Sequence, residues 1–180
     1  MKLTLDSKLP AVGTTIFSVM SALAAEHGAL NLSQGFPDYA VDPKLIGLVE
    51  RYLGAGTNQY APMTGVAVLR ERIQEKFQRV HGLLVDAEQE ITVTAGGTEA
   101  IFTTIAALIR PGDEVINFEP AYDCYAPAVT LFGGAMMPVR LVAPEFAVDW
   151  DYVKSLITLR TRLIILNNPN NPACRVYRRF

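Results

Sequence analysis

From Asp86 onward the sequence alternates short β-branched runs with helical stretches, and no other feature constrains the fold as tightly. The pattern predicts strands over residues 91–95, 114–118, 136–141 and 162–166. Between them it predicts helices over 98–109, near 122–132 and near 150–159. Parallel neighbours in a sheet need a long crossover, which is usually a helix. Alternation of this kind therefore implies an α/β fold with a largely parallel sheet and helices packed on its faces. The tetrad Arg110-Pro111-Gly112-Asp113 is a turn that ends one helix and launches the next strand.

The first half has a different texture. Ile16, Val19, Met20 and Leu23 recur at helical spacing before Gly28, which predicts a helix over 16–27. An extended stretch over 31–38 breaks at the turn formers Gly35, Phe36, Pro37 and Asp38, and a second helix is expected from Pro43 to about residue 53. After a Gly/Asn-rich loop, Val68, Leu69, Ile73, Phe77 and Val80 form the apolar side of an amphipathic helix over 66–81, stopped by Gly82.

Half of the residues are apolar and the formal net charge is −2, as in ordinary globular proteins. Charges of both signs are interspersed, which argues against nucleic acid or a membrane surface and in favour of a small-molecule partner. No stretch approaches the roughly 18 apolar residues of a membrane span, and residues 1–10 lack the apolar core of a secretion signal. A cytoplasmic setting is the expectation. Cys124 and Cys174 have neither metal-ligand spacing nor further cysteines beside them, so both are read as free thiols in a reducing compartment, and no metal site is expected.

The most informative local string is Ile91-Thr92-Val93-Thr94-Ala95-Gly96-Gly97-Thr98-Glu99-Ala100, in which a β-branched run passes through two glycines straight into a helix. Glycine lets the backbone approach a ligand closely. The first turn of a helix presents unpaired N–H groups, so Gly96, Gly97 and Thr98 form a candidate phosphate cradle to which Thr98 can add its hydroxyl. A steric requirement at a strand-to-helix turn would explain the two glycines equally well. The string is no P-loop, because no Gly-Lys-Ser/Thr follows, and it lacks the Gly-x-Gly-x-x-Gly spacing of a dinucleotide fingerprint.

Four further strings stand in order around this turn: Asn31-Leu32-Ser33-Gln34-Gly35-Phe36-Pro37-Asp38, Asn58-Gln59-Tyr60-Ala61-Pro62, Glu119-Pro120-Ala121-Tyr122-Asp123-Cys124-Tyr125, and Asn167-Asn168-Pro169-Asn170-Asn171-Pro172. As an ordered set covering nearly the whole chain, they resemble the class I/II aminotransferases of fold type I, nearest to the branch of methionine and kynurenine–oxoglutarate aminotransferases. The resemblance implies pyridoxal 5'-phosphate as cofactor, an amino acid and a 2-oxo acid as substrates, and a homodimer. It also implies an N-terminal arm with part of a small domain over 1–45, then an incomplete cofactor-binding domain over 46–180.

By the same resemblance, Gly96, Gly97 and Thr98 hold the cofactor phosphate, and Tyr60 reaches that phosphate from the second subunit. Tyr122 stacks on the pyridine ring, a use that suits a flat aromatic face with a polar tip. Asn171 donates a hydrogen bond to the phenolic oxygen and adjoins the substrate, while the Gly35 backbone lies near the substrate carboxylate. Cys174 stands where many relatives carry glycine.

Transamination further needs a lysine that carries the cofactor as a Schiff base and shuttles the proton, an acidic group at the pyridine nitrogen and an arginine for the substrate carboxylate. In the family all three come later than residue 180. Lys2, Lys8, Lys44, Lys76 and Lys154 all lack the Ser-rich strand-and-turn setting of that lysine, so no catalytic residue is assigned. The chain is expected to be a truncated form, inactive alone, whose 91–95 strand has lost its neighbour. The alternative from another class is a non-catalytic remnant or interaction module with residual phosphate binding.

Overall fold

The computed structural model describes residues 6–35 and 37–178; Lys2 and Phe36 lie outside them. The chain divides into two compact units. One combines the segment up to Thr15 with the chain from Gly96 onward, and the other is Ile16–Ala95.

The unit from Gly96 holds the sheet. In chain order it runs α4 (Gly97–Leu108), β1 (Glu114–Glu119), α5 (Tyr125–Leu131), β2 (Ala135–Arg140), α6 (Trp150–Ser155) and β3 (Thr161–Ile165), following the three helices of the other unit. The strands lie in the order β2-β1-β3, with β1 parallel to both neighbours. Val115 pairs with Met136 on one side and Leu163 on the other, and a register shift at Glu114 leaves Arg162 as an extra residue in β3. A central parallel strand is covered on both faces, and β1 is accordingly buried from Glu114 through Phe118.

Alternation along β1 sends its side chains into two cores. Val115 joins Ile105 and Ile109 of the α4 segment with Ala128 and Val129 of α5. Ile116 and Phe118 point the other way, to Val139, Leu141 and Val153. The turn from α4 into β1 is the tetrad expected from the sequence: the Arg110 N–H donates to Asp113 Oδ2 at 2.9 Å, and the Asp113 N–H donates to the Arg110 carbonyl at 3.0 Å.

Glu114 is 4% exposed at the start of β1. Thr158 Oγ1 donates to its Oε2 at 2.6 Å and Arg160 Nε to its Oε1 at 2.8 Å. The Thr158 bond, then the Arg160 guanidinium, hold the Glu114 carboxyl below its ordinary value against the opposing effect of burial. With the folded pKa lowered, the stabilisation is present above the unfolded-state pKa and disappears as pH falls through the folded one. In urea melts between pH 7 and 3, Glu114→Gln is expected to flatten the acid limb of stability. Parallel acid limbs for the two proteins would refute the assignment.

Two helices are shorter than the sequence pattern implied. Helix α5 begins at Tyr125 rather than near Tyr122, because Pro127 has no N–H to give and fits only in the first turn. Helix α6, capped by the Asp149 carboxylate at the Asp151 and Tyr152 N–H groups, ends at Ser155 rather than near Leu159. Thr158 beyond it is drawn to Glu114.

Unit Ile16–Ala95 contains α1 (Ile16–Glu26), α2 (Pro43–Gly54) and α3 (Ala67–His81). Pro43 at the first position and an Asp42 cap on the Lys44 N–H start α2, and Gly82 in the left-handed conformation stops α3. None of the three helices has a buried residue; Val68, Leu69, Phe77 and Val80 on the expected apolar side of α3 are all exposed. The expected strand over 91–95 forms no ladder among the described residues. Within it the Val93 N–H donates to the Thr64 carbonyl at 3.0 Å. β-branched sequence makes a segment extended, but a strand exists only beside a partner.

Candidate functional site

Strands β1 and β3 are parallel neighbours, so the chain leaves both at the same edge of the sheet, where open α/β sheets receive ligands. The loop after β1 carries Tyr122, and the loop after β3 carries Asn171. Helix α4 returns toward β1 through the 110–113 turn and packs Ile101 and Ile105 against Leu163 and Ile165. Its N-terminus, with Gly96, Gly97 and Thr98, therefore belongs to this same carboxyl edge. The topology thus places three of the stretches singled out in the sequence at one edge of the sheet.

Gly96 is the N-cap residue of α4, with φ 108° and ψ 161° and no side-chain cap hydrogen bond. That backbone conformation is essentially confined to glycine. Beyond the adjoining backbone, no atom lies within 4 Å of where a Cβ would stand on Gly96 or Gly97, and both are exposed together with Thr98. A helix N-terminus that begins at exposed glycines has the physical character an anion site needs: a positive dipole end and room beside the backbone. Glu99 in the first turn puts a negative charge beside it.

Tyr122 is half-buried on the turn before α5, its ring 6.1 Å from that of Tyr125 at an interplanar angle of 58°. Burial raises the Tyr125 phenol above its usual pKa and, with the nearby Asp123 carboxylate, does the same to the Cys124 thiol. Cys124 is therefore protonated at neutral pH and poorly suited to be a nucleophile.

The turn after β3 is held by asparagines whose structural part the sequence reading missed. Asn168 Nδ2 donates to the Tyr177 carbonyl at 3.0 Å, and Asn168 Oδ1 accepts the Tyr177 N–H at 2.9 Å. Asn170 is 5% exposed and its Oδ1 accepts the Ala173 N–H at 3.0 Å, whereas Asn171 is exposed. The run of four asparagines was the available signal. Cys174 has φ 54°, the left-handed region in which glycine is at ease.

Gly35 and Tyr60 belong to the other unit. Gly35 is exposed with open space around it, just after Ser33, whose N–H bonds Asn31 Oδ1 at 3.0 Å. Tyr60 is 102% exposed. Of the lysines, Lys8, Lys44 and Lys76 are exposed, and Lys154 pairs with Asp151 at 2.9 Å on α6. Among the described residues no helix is long and apolar enough to cross a membrane.

Comparison with known proteins gives a consistent picture. A family model described as aminotransferase class I and II matches residues 28–179. Methionine aminotransferase of Escherichia coli (strain K12) is 53% identical over 172 residues, which cover 96% of this chain and 45% of that protein. Human kynurenine–oxoglutarate transaminase 3 is 30% identical over 190 residues, covering 99% of this chain and 42% of its own length. The solved structure of YbdL from Escherichia coli, identified with a methionine aminotransferase function, matches with a TM-score of 0.94 at 52% identity. That match covers 98% of this chain and 46% of the other. The chain spans less than half the length of these relatives.

Proposed function

Because this chain belongs to the class I and II aminotransferases, whose cofactor is pyridoxal 5'-phosphate, we propose that its 180 residues form the phosphate-binding part of an enzyme transferring amino groups from an L-amino acid to a 2-oxo acid. Its α/β architecture is the corresponding portion of fold type I. The observation that carries the proposal is the exposed N-terminus of α4, where Gly96 holds a glycine-only conformation with open space beside it and Gly97.

In this reading the N–H groups of Gly97 and Thr98 and the Thr98 hydroxyl hold the phosphate, aided by the helix dipole. Tyr122 lies against the ring, and the Asn171 carboxamide donates to the phenolic oxygen, favouring its ionised form. When bound, the cofactor supplies an electron sink for removal of the substrate α-proton. Tyr60 from a second subunit completes the phosphate contacts in a homodimer, and its full exposure leaves it available for that contact. Gly35 presents its backbone near the substrate carboxylate. Residues 1–45 are assigned to an arm and part of a small domain, and 46–180 to the cofactor domain. Methionine or an aromatic amino acid is the preferred donor, after the branch of the relatives, and the setting is cytoplasmic.

None of the described lysines occupies a strand-end turn: each is exposed, and Lys154 is tied to Asp151. The 180 residues by themselves are therefore proposed to bind the cofactor without anchoring it. Treatment with pyridoxal 5'-phosphate and then borohydride, followed by peptide mass mapping, is expected to show no lysine labelled above a denatured control. No amino transfer from methionine to a 2-oxo acid should be detected. Stoichiometric labelling of one lysine together with turnover would overturn the proposal. The lysine inventory also favours the second reading, a non-catalytic remnant with residual phosphate affinity; a chain that binds inorganic phosphate but gains nothing from the pyridine ring would select it.

A further inference from the structure

In the turn after β3, Asn171 is exposed and its neighbours on both sides are tied down. The Asn170 N–H donates to the Arg175 carbonyl at 2.8 Å, the Asn170 carbonyl accepts the Cys174 N–H at 2.8 Å, and Asn170 Oδ1 accepts the Ala173 N–H at 3.0 Å. Two residues earlier, the Asn168 carboxamide grips both backbone groups of Tyr177, closing the base of the loop. These bonds keep Cys174 in a left-handed conformation that a non-glycine residue does not adopt unaided. Asn171 thus projects from an apex whose backbone is fixed on either side.

A hydrogen bond from an exposed carboxamide is weak when its backbone must be ordered at the moment of binding, and strong when the backbone is already in place. We propose that Asn170, with Asn168 behind it, is a positioning residue for Asn171: it sets the loop geometry from which the Asn171 carboxamide reaches the cofactor's phenolic oxygen. The inference rests on the cofactor reading of Asn171 given above. It adds that the buried neighbour governs the strength of that contact without touching the cofactor.

The test uses the 180-residue chain and its Asn171→Ala, Asn170→Ala, Asn170→Asp and double-alanine variants, titrated with pyridoxal 5'-phosphate and separately with inorganic phosphate. Asn171→Ala is expected to weaken the first ligand by about tenfold and leave the second unchanged, since the phosphate sits at α4. Asn170→Ala should match that loss. Asn170→Asp, which keeps the Oδ1 acceptor, should return to within about twofold of the parent, and the double variant should be no weaker than Asn171→Ala. Hydrogen exchange at the Ala173 and Cys174 amides should rise in Asn170→Ala and remain slow in Asn170→Asp.

If Asn170→Ala binds like the parent while Asn171→Ala is weakened, the positioning role is wrong and the cofactor reading stands. If Asn171→Ala has no effect, or the parent binds neither ligand, the cofactor reading fails and this inference fails with it. Equal loss of inorganic phosphate binding in Asn170→Ala would mark general damage and overturn the proposal.

Discussion

Gly96→Val is expected to lower the affinity for pyridoxal 5'-phosphate and for inorganic phosphate by roughly a hundredfold, while far-UV circular dichroism keeps the helices and sheet of the parent. Two effects combine. The conformation at φ 108° and ψ 161° costs a branched residue about 1–3 kcal/mol, so the turn shifts and re-aims the N–H groups of α4. The new side chain also enters the open space where the phosphate would sit, since nothing beyond the adjoining backbone lies within 4 Å of the Cβ position. Losing one or two charge-assisted hydrogen bonds, each contributing about 1.5–3 kcal/mol, accounts for the size of the drop. Calorimetric titration with the two ligands measures it. Unchanged affinity in a natively folded variant would mean that the α4 terminus is not the phosphate cradle.

Ile116→Ala should destabilise the sheet-bearing unit by about 3 kcal/mol. Ile116 is fully buried in the central strand and lies among Phe118, Val139, Leu141 and Val153. Alanine leaves a void that side chains on three different elements cannot jointly collapse to fill. Against a typical domain stability of about 5–15 kcal/mol this is a large fraction. Ile164→Ala on β3, where the parent side chain is already 45% exposed, provides the contrast and should cost under about 1 kcal/mol. Urea midpoints compare the two, and similar losses would show that β1 is not the packed centre described above.

The uncovered faces of α1, α2 and α3 belong with the length comparison. These helices carry the apolar periodicity expected of packed elements, yet none buries a residue, and the chain spans 45% of the methionine aminotransferase it resembles. Amphipathic spacing states that a helix has a face to bury; it does not supply the surface that covers it.

Much was legible in the residues. Helices and strands followed from 3.6-residue and two-residue periodicity, because those patterns are local consequences of backbone geometry. The Gly96-Gly97 string identified a helix terminus with room for an anion, since glycine there reports a backbone that side chains would forbid. The ordered strings around it identified the family, which the comparisons show independently. Helix ends were less legible: Pro127 delayed α5, and Thr158 was taken from α6 by a carboxylate 44 residues earlier in the chain.

The amino-acid order alone determined which segments are helical or extended and where the glycine turn into α4 lies. Only the tertiary structure decided that Glu114 is a buried carboxylate held by Thr158 and Arg160. It also showed that Asn168 and Asn170 hold the loop while Asn171 is exposed. The division has a physical cause: periodicity and turn chemistry are properties of neighbours in sequence, whereas pairing, burial and side-chain clamps depend on groups that meet only after the chain has folded.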